Sequence, residues 1–396
     1  MSLISLRIRP WARRGRNVGA VVALACAALA GTGAGTGTAA SYQLPVDTAS
    51  TPDPGVLLYQ GNFYAFSTGG FGLWESTAPI AAGPWTKVDD SASTGNAVGD
   101  VMVHSNLPSW IDQGAGIWAP DMVQTSTGEF VVYFAAQLAG IPASNPPGDD
   151  AKPAGGSRCI GSAESGSPTG PFTVDQNPVV CLTGYGAADG MTGDPAGRVL
   201  GEGVIDPDPA YVTISGAQEL FLLYKTQAGN GDSTIRMARL AVADGTSVLG
   251  DSHQLLSAIP TGSGGSYVFG DTIEAPTLVQ NGSWFVLLVA HGNYGECSYS
   301  TEWFKSQHIW AWTNDGGGTL LDASSTAGLC GPGSADISGS EVSGQYRLFF
   351  HGWVENGTDG VPASSSSGAT REMYADVLTF GSDGYTPGVS PLAPAS

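Results

Sequence analysis

Five acids stand where this chain could do chemistry: Asp53, Asp121, Asp206, Glu274 and Asp336. Each opens or precedes an apolar run, and four have a proline close by, in Asp53-Pro54, Pro120-Asp121, Asp206-Pro207 and Glu274-Ala275-Pro276. Proline fixes φ and removes a backbone donor, which suits a sharp approach to a strand. The acids are 68, 85, 68 and 62 residues apart. Brought together by a repeated fold, their charges would repel, and burial would raise the pKa of whichever is least solvated. One carboxyl would keep its proton while another stayed ionised. Hydrolysis of a glycosidic bond needs that division: an acid to protonate the leaving oxygen and a base to activate water. An acid beside proline is also ordinary turn chemistry, in which the carboxylate only accepts backbone N–H bonds. Asp121 and Asp336 suit this plainer role best.

The elements around the acids repeat. Asp206 leads into Val204–Val212, a turn at Ser215-Gly216, and the apolar run Leu220–Tyr224. Copies read Val56–Tyr59 with Phe63–Phe66, Met122-Val123 with Phe130–Phe134, and Thr277–Val279 with Trp284–Val289. A weaker copy joins Asp336-Ile337 to Tyr346–Phe350. Self-similarity at a roughly constant period signals a repeat architecture, and all-β units of this size predict a five-bladed β-propeller. The innermost strand of each blade would start near the axis, so the acids at those starts would face one small region. Residues 41–396 are expected to form this one domain, with Tyr42–Ser50 as an arm closing it against the last strands. Pro142–Gly156, Gly184–Gly203 and Ser364–Gly368 read as exposed loops.

Composition narrows the function. Only 13% of the 396 residues are charged, 42% are hydrophobic and 58 are glycine, which fits short strands and many turns. Lys and Arg total 15 against 35 Asp and Glu, a balance that argues against nucleic acid as a partner. Residues 1–40 read as a secretory signal: a charged stretch with Arg7, Arg9, Arg13, Arg14 and Arg16, apolar Val18–Leu29, and small residues Thr38-Ala39-Ala40. A secreted monomer with no membrane segment after cleavage is expected. Cys159, Cys181, Cys297 and Cys330 then suggest two disulfides. Three pairings are possible, and neighbours in sequence, Cys159 with Cys181 and Cys297 with Cys330, are favoured.

Several stretches together resemble glycoside hydrolase family 43. They are Asp53-Pro54 with Gly61–Tyr64, Trp118-Ala119-Pro120-Asp121, Ile205-Asp206-Pro207, Ile273-Glu274-Ala275-Pro276, and His351-Gly352. Each motif alone is weak, but their order and spacing cover roughly residues 50–380. The resemblance implies a five-bladed propeller with Asp53 as general base, Glu274 as general acid and Asp206 tuning and orienting the acid. It implies a single displacement by water with inversion, for which base and acid carboxyls stand about 6.5–9.5 Å apart. The chain departs from the family in having Thr51-Pro52 before Asp53 and Ala275 where many members have glycine. Leu107–Trp110 and Cys159–Phe172 resemble exported arabinan-degrading members, so α-L-arabinofuranosyl linkages in plant cell-wall polysaccharide are the expected substrate. A β-xylosidase, a fructan-acting enzyme or a sugar-binding propeller without catalysis are the alternatives. No cofactor is needed for such chemistry. The resemblance also places His351 near an axial ion such as calcium, although a buried structural histidine reads equally well. Trp118, Trp74, Phe71 and Tyr294 are candidate sugar-stacking platforms, and each would also serve as core.

Overall fold

A computed structural model of the chain describes residues 43–140, 158–181, 203–227, 233–257, 272–313, 317–340, 342–355, 358–359 and 369–395. The expected leader at 1–40 and the expected loops at 142–156, 184–202 and 364–368 lie outside these residues.

Five antiparallel meanders follow one another. Blade one holds β1 (Gly55–Tyr59), β2 (Asn62–Ser67), β3 (Trp74–Ala78) and β4 (Thr86–Lys87). Blade two holds β5 (Trp118–Gln124), β6 (Phe130–Gln137), β7 (Arg158–Ser165) and β8 (Thr173–Val174). Blade three holds β9 (Val204–Ile214), β10 (Ala217–Gln227), β11 (Ser233–Leu240) and β12 (His253–Ser257). Blade four holds β13 (Ile273–Asn281), β14 (Trp284–His291), β15 (Ser300–Ser306) and β16 (Gly318–Leu321). Blade five holds β17 (Cys330–Ser338), β18 (Tyr346–Glu355), β20 (Ala369–Phe380) and β21 (Pro387–Pro391), with β19 (Thr358–Asp359) paired to β18. The protein is a five-bladed β-propeller. Among the described residues a four-residue helix, Ser91–Thr94, interrupts the β-structure.

The second strands read as unbroken apolar runs because both faces of each blade are covered by neighbours. Leu220, Phe221, Leu222, Leu223 and Tyr224 are all fully buried. Five apolar clusters fill the five seams between adjacent blades and so close the ring. At the last seam Phe349 of blade five meets Phe63 and Trp85 of blade one edge-on, at 5.6 and 5.9 Å. Burial of one such side chain contributes about 1.5–3 kcal/mol. The arm completes the closure: Val46 N–H donates to Met373 O at 2.8 Å, and Thr51 N–H to Arg371 O at 2.8 Å. Disulfides join Cys159 to Cys181 and Cys297 to Cys330, the pairing of sequence neighbours.

One local conformation recurs at the start of every innermost strand. Asp53, Ala119, Asp206, Ala275 and Ser334 have φ of 52°, 42°, 55°, 45° and 48°. A non-glycine residue in this left-handed region is strained by about 1–2 kcal/mol, so five at matched places mark a constrained corner. Proline follows four of them and Ala335 the fifth. These residues are the true equivalents, which corrects the expectation that all five acids are. Asp53 and Asp206 are equivalent, but Asp121 and Asp336 stand two residues further on, level with Asp208. Glu274 stands one residue earlier. The corner inserts a bulge into the strand pairing, seen between Trp118 and Asp121, Glu274 and Thr277, and Gly333 and Asp336. A one-residue slip redirects a side chain, and simple matching of acid to proline cannot register it.

Candidate active site

Asp53, Asp206 and Glu274 line one cavity of about 180 Å3, together with Thr68, Trp118, Ile205, Tyr294, Ser334 and Arg371. Asp53 lies two residues before β1, Asp206 lies in β9 and Glu274 in β13, so three separate blades supply the three carboxyls.

Asp53 is held from several sides. Arg371 Nη1 reaches its Oδ1 at 2.8 Å, and Thr68 Oγ1 donates to its Oδ2 at 2.7 Å. Burial raises the Asp53 pKa, but Arg371, His351 and hydrogen bonds from Thr68 and Ser334 outweigh it and hold the carboxyl below its usual value. Asp53 is therefore ionised at neutral pH. His351 is fully buried and is pushed down to about 3 by burial and by Arg371, against the opposing pull of Asp53. It is neutral, so the Arg371 guanidinium is the main charge facing Asp53.

Glu274 is held by both oxygens. Lys225 Nζ meets Oε2 at 2.7 Å, and Tyr299 Oη donates to Oε1 at 2.8 Å. Burial and Glu274 push the Tyr299 pKa well up, which keeps the phenol a donor. A Cβ on Gly333 would meet the Tyr299 ring at 2.2 Å, so only glycine there lets the ring take its place. Asp206 Oδ2 accepts the Ala275 N–H at 2.9 Å. Burial and the neighbouring Glu274 charge raise Asp206 to about 8, with Lys225 pulling the other way. One carboxyl proton is thus kept on Asp206, beside Glu274 and away from Asp53's cation.

A second acid ring lies along the axis. Asp121, Asp208 and Asp336 are buried, and their oxygens lie within 4.8 Å of one another. Burial raises all three, Asp336 to about 7. Asp336 Oδ2 accepts the Val56 N–H at 2.6 Å, and Asp121 Oδ1 accepts the Met122 N–H at 2.7 Å. Asp336 thus binds backbone across blades and Asp121 binds its own strand, the plainer role the sequence offered for both.

Of the four aromatic candidates, Trp118 and Tyr294 line the acid cavity. The Arg158 guanidinium lies 3.1 Å from the Trp118 ring centroid, and Arg371 lies 5.0 Å from that of Tyr294. Trp74 lines a neighbouring cavity instead. Phe71 lines neither; it meets His104 edge-on at 5.6 Å and packs against the seam between blades one and two. His351 lies beneath Asp53, its Nδ1 accepting the Asp53 N–H at 3.2 Å. Its buried Nε2 has no hydrogen-bond partner among the described residues. With Nδ1 accepting, Nε2 carries the ring proton and is a donor rather than a ligand. Nε2 is free for a cation only in the other tautomer, with the proton on Nδ1 facing Asp53 Oδ1 at 3.4 Å. Lys225, Tyr299, Thr68, Ser334 and Arg371 were not singled out in the sequence. Lys225 carried a signal, a cation ending the fully buried run Leu220–Tyr224, where an unpaired charge is costly. Arg371 and Tyr299 carried none.

A sequence model of the glycosyl hydrolases family 43 matches residues 42–386. The chain belongs to this family of glycosidases. Over 89 residues it is 29% identical to a probable arabinan endo-1,5-α-L-arabinosidase C of Aspergillus flavus, a match spanning 22% of this chain and 24% of that protein. A thermostable family-43 glycoside hydrolase shares the fold at TM-score 0.63 and 17% identity, over 90% of this chain and 98% of that one. An α-L-arabinofuranosidase from Lactobacillus brevis does so at 0.61 and 14%, over 90% and 98%. A Bacillus subtilis arabinanase does so at 0.56 and 19%, over 86% and 98%. At these identities the likeness of the solved structures is one of fold.

Proposed function

We propose that this family 43 member is an exported inverting hydrolase of α-L-arabinofuranosyl linkages in plant polysaccharide. The observation that carries the reading is the charge division within one cavity: Asp53 ionised beside Arg371, and a carboxyl proton on Asp206 beside Glu274. Asp53 takes a proton from water as the water oxygen bonds to the anomeric carbon. The bond from that carbon to the leaving oxygen breaks as the proton held on Asp206 passes by way of Glu274 to that oxygen. Lys225 and Tyr299 fix the direction of the Glu274 carboxyl. Water and the leaving group on opposite faces of the sugar ring give inversion. No step passes through a metal; a calcium ion near the axis would be held by His351 Nε2 with water and needs the second tautomer. Arabinose is favoured because proteins of similar sequence and fold are named for arabinan and arabinofuranosides. Export rests on the composition of residues 1–40 and on the two disulfides, which persist in oxidising compartments.

The test is an assay on linear arabinan, p-nitrophenyl α-L-arabinofuranoside and xylobiose, with NMR of the first sugar anomer released. Cleavage of an arabinosyl substrate with the inverted anomer appearing first is expected. Cleavage of xylobiose alone would transfer the reading to β-xylosides, a retained anomer would remove the single displacement, and binding without turnover would leave a lectin-like propeller.

A further inference from the structure

The acid-lined cavity has a neighbour of the same size. It also measures about 180 Å3, and Thr68 lines both. Its walls include Thr51, Ser67, Thr68, Trp74, Ser76 and Lys87. Trp74 pairs with Ser67, and Ser76 pairs with Lys87, so alternation along the strands puts these side chains on one face of blade one. Glu75 pairs with Phe66 on the opposite face. Glu75 also borders the cavity, but alternation turns its side chain to the opposite face, and the Lys87 ammonium repels a cation.

Trp74 is half-buried and wedged, since a Cβ on Gly69 would meet its Cδ1 at 2.6 Å. Lys87 Nζ stands 5.8 Å from its ring centroid. Its Nε1 is buried with no hydrogen-bond partner among the described residues. An aromatic face, an ammonium and several hydroxyls match a neutral ring that presents C–H on one side and hydroxyls on its edge.

We propose that this cavity is a subsite for a further pentosyl unit of the polysaccharide, on the glycone side of the bond being cut. The side follows from Thr68, which lines both cavities and hydrogen-bonds the base Asp53. In an inverting site the leaving group departs toward the acid, here Glu274, and away from the base, so a sugar held past Thr68 lies on the side away from the aglycone. The assignment rests on the acid cavity being the place of cleavage.

The test compares arabinobiose with linear α-1,5-arabinotetraose in the wild type and in two variants, Trp74→Ala and the cavity-filling Ser76→Phe. Both variants are expected to lower kcat/KM on the tetraose about tenfold, mostly through KM, and to leave the biose within about twofold. Equal loss on both substrates, or no loss on the tetraose in variants that melt like the wild type, overturns the subsite. Titration calorimetry of arabinotetraose on Glu274→Gln protein, with and without Trp74→Ala, separates this from the function itself. If the wild type cleaves neither sugar, the cleavage reading fails. The subsite then stands on an approximately tenfold weaker Kd caused by Trp74→Ala, and falls if Kd is unchanged.

Discussion

Two rings of acids occupy one axis, and they behave differently. Asp206 and Asp208 are two residues apart in β9, yet Asp206 reaches the cavity of about 180 Å3 while Asp208 lines, with Asp121 and Asp336, only a smaller one of about 30 Å3. The upper ring has cations: Arg371 on Asp53 and Lys225 on Glu274, at 2.8 and 2.7 Å. The lower ring pairs with no cation among the described residues; Asp336 and Asp208 accept backbone N–H groups of the neighbouring blades, Val56 and Leu278, and Asp121 accepts that of Met122 next to it. Arg371 holds Asp53 below its usual value, while burial and the Glu274 charge raise Asp206, a split that would suit acid–base work. Burial raises all those of the lower ring together, which suits a plug that fastens blades. The two rings differ in paired cations and in access to the larger cavity, not in residue type.

The largest expected break in this comparison is Glu274→Gln. It should lower kcat on arabinan about 10²–10⁴-fold with little change in melting temperature, and an unchanged rate would remove the acid assignment. Next comes Asp206→Asn. With Asp206 near 8, kcat/KM in the wild type should fall as pH rises through about 8. The variant should lose that alkaline limb and about 10–100-fold in rate; a limb that persists would place the proton elsewhere.

The lower ring should instead show in stability. Asp336 keeps its proton to about 7 when folded, whereas an unfolded aspartate loses it near 4. Between those values the folded state binds more protons, so stability falls as pH rises from about 4 to about 7 and then levels. Asp206 acts in the same direction up to about 8, and Asp53, being lowered, acts only below about 4. Asp336→Asn should roughly halve the drop in melting temperature between pH 5 and 7.5 while arabinan turnover stays within about twofold. The smallest effect is expected from EDTA. With the His351 ring proton on Nε2, chelation should shift the rate by less than about twofold. A clear fall in melting temperature would show the other tautomer with a cation bound.

Much of this was legible beforehand because a propeller writes its period into the chain. Continuous apolar runs gave the second strands, and acids beside prolines gave the corners where the inner strands begin. The register of those corners was not legible: Asp121 and Asp336 look like Asp53 on paper, yet a left-handed residue and a bulge set them two positions deeper. Trp74 and Phe71 show the same limit, since strand alternation and the course of a short loop decide which cavity an aromatic faces.

The sequence by itself pointed to the blade count and the family and singled out three carboxyls, because these readings depend on local patterns of acid, proline and apolar residues repeated at a steady spacing. Only the tertiary structure decided what surrounds those carboxyls. Arg371 reaches Asp53 from 318 residues away and lowers its pKa, which depends on distance through space rather than along the chain.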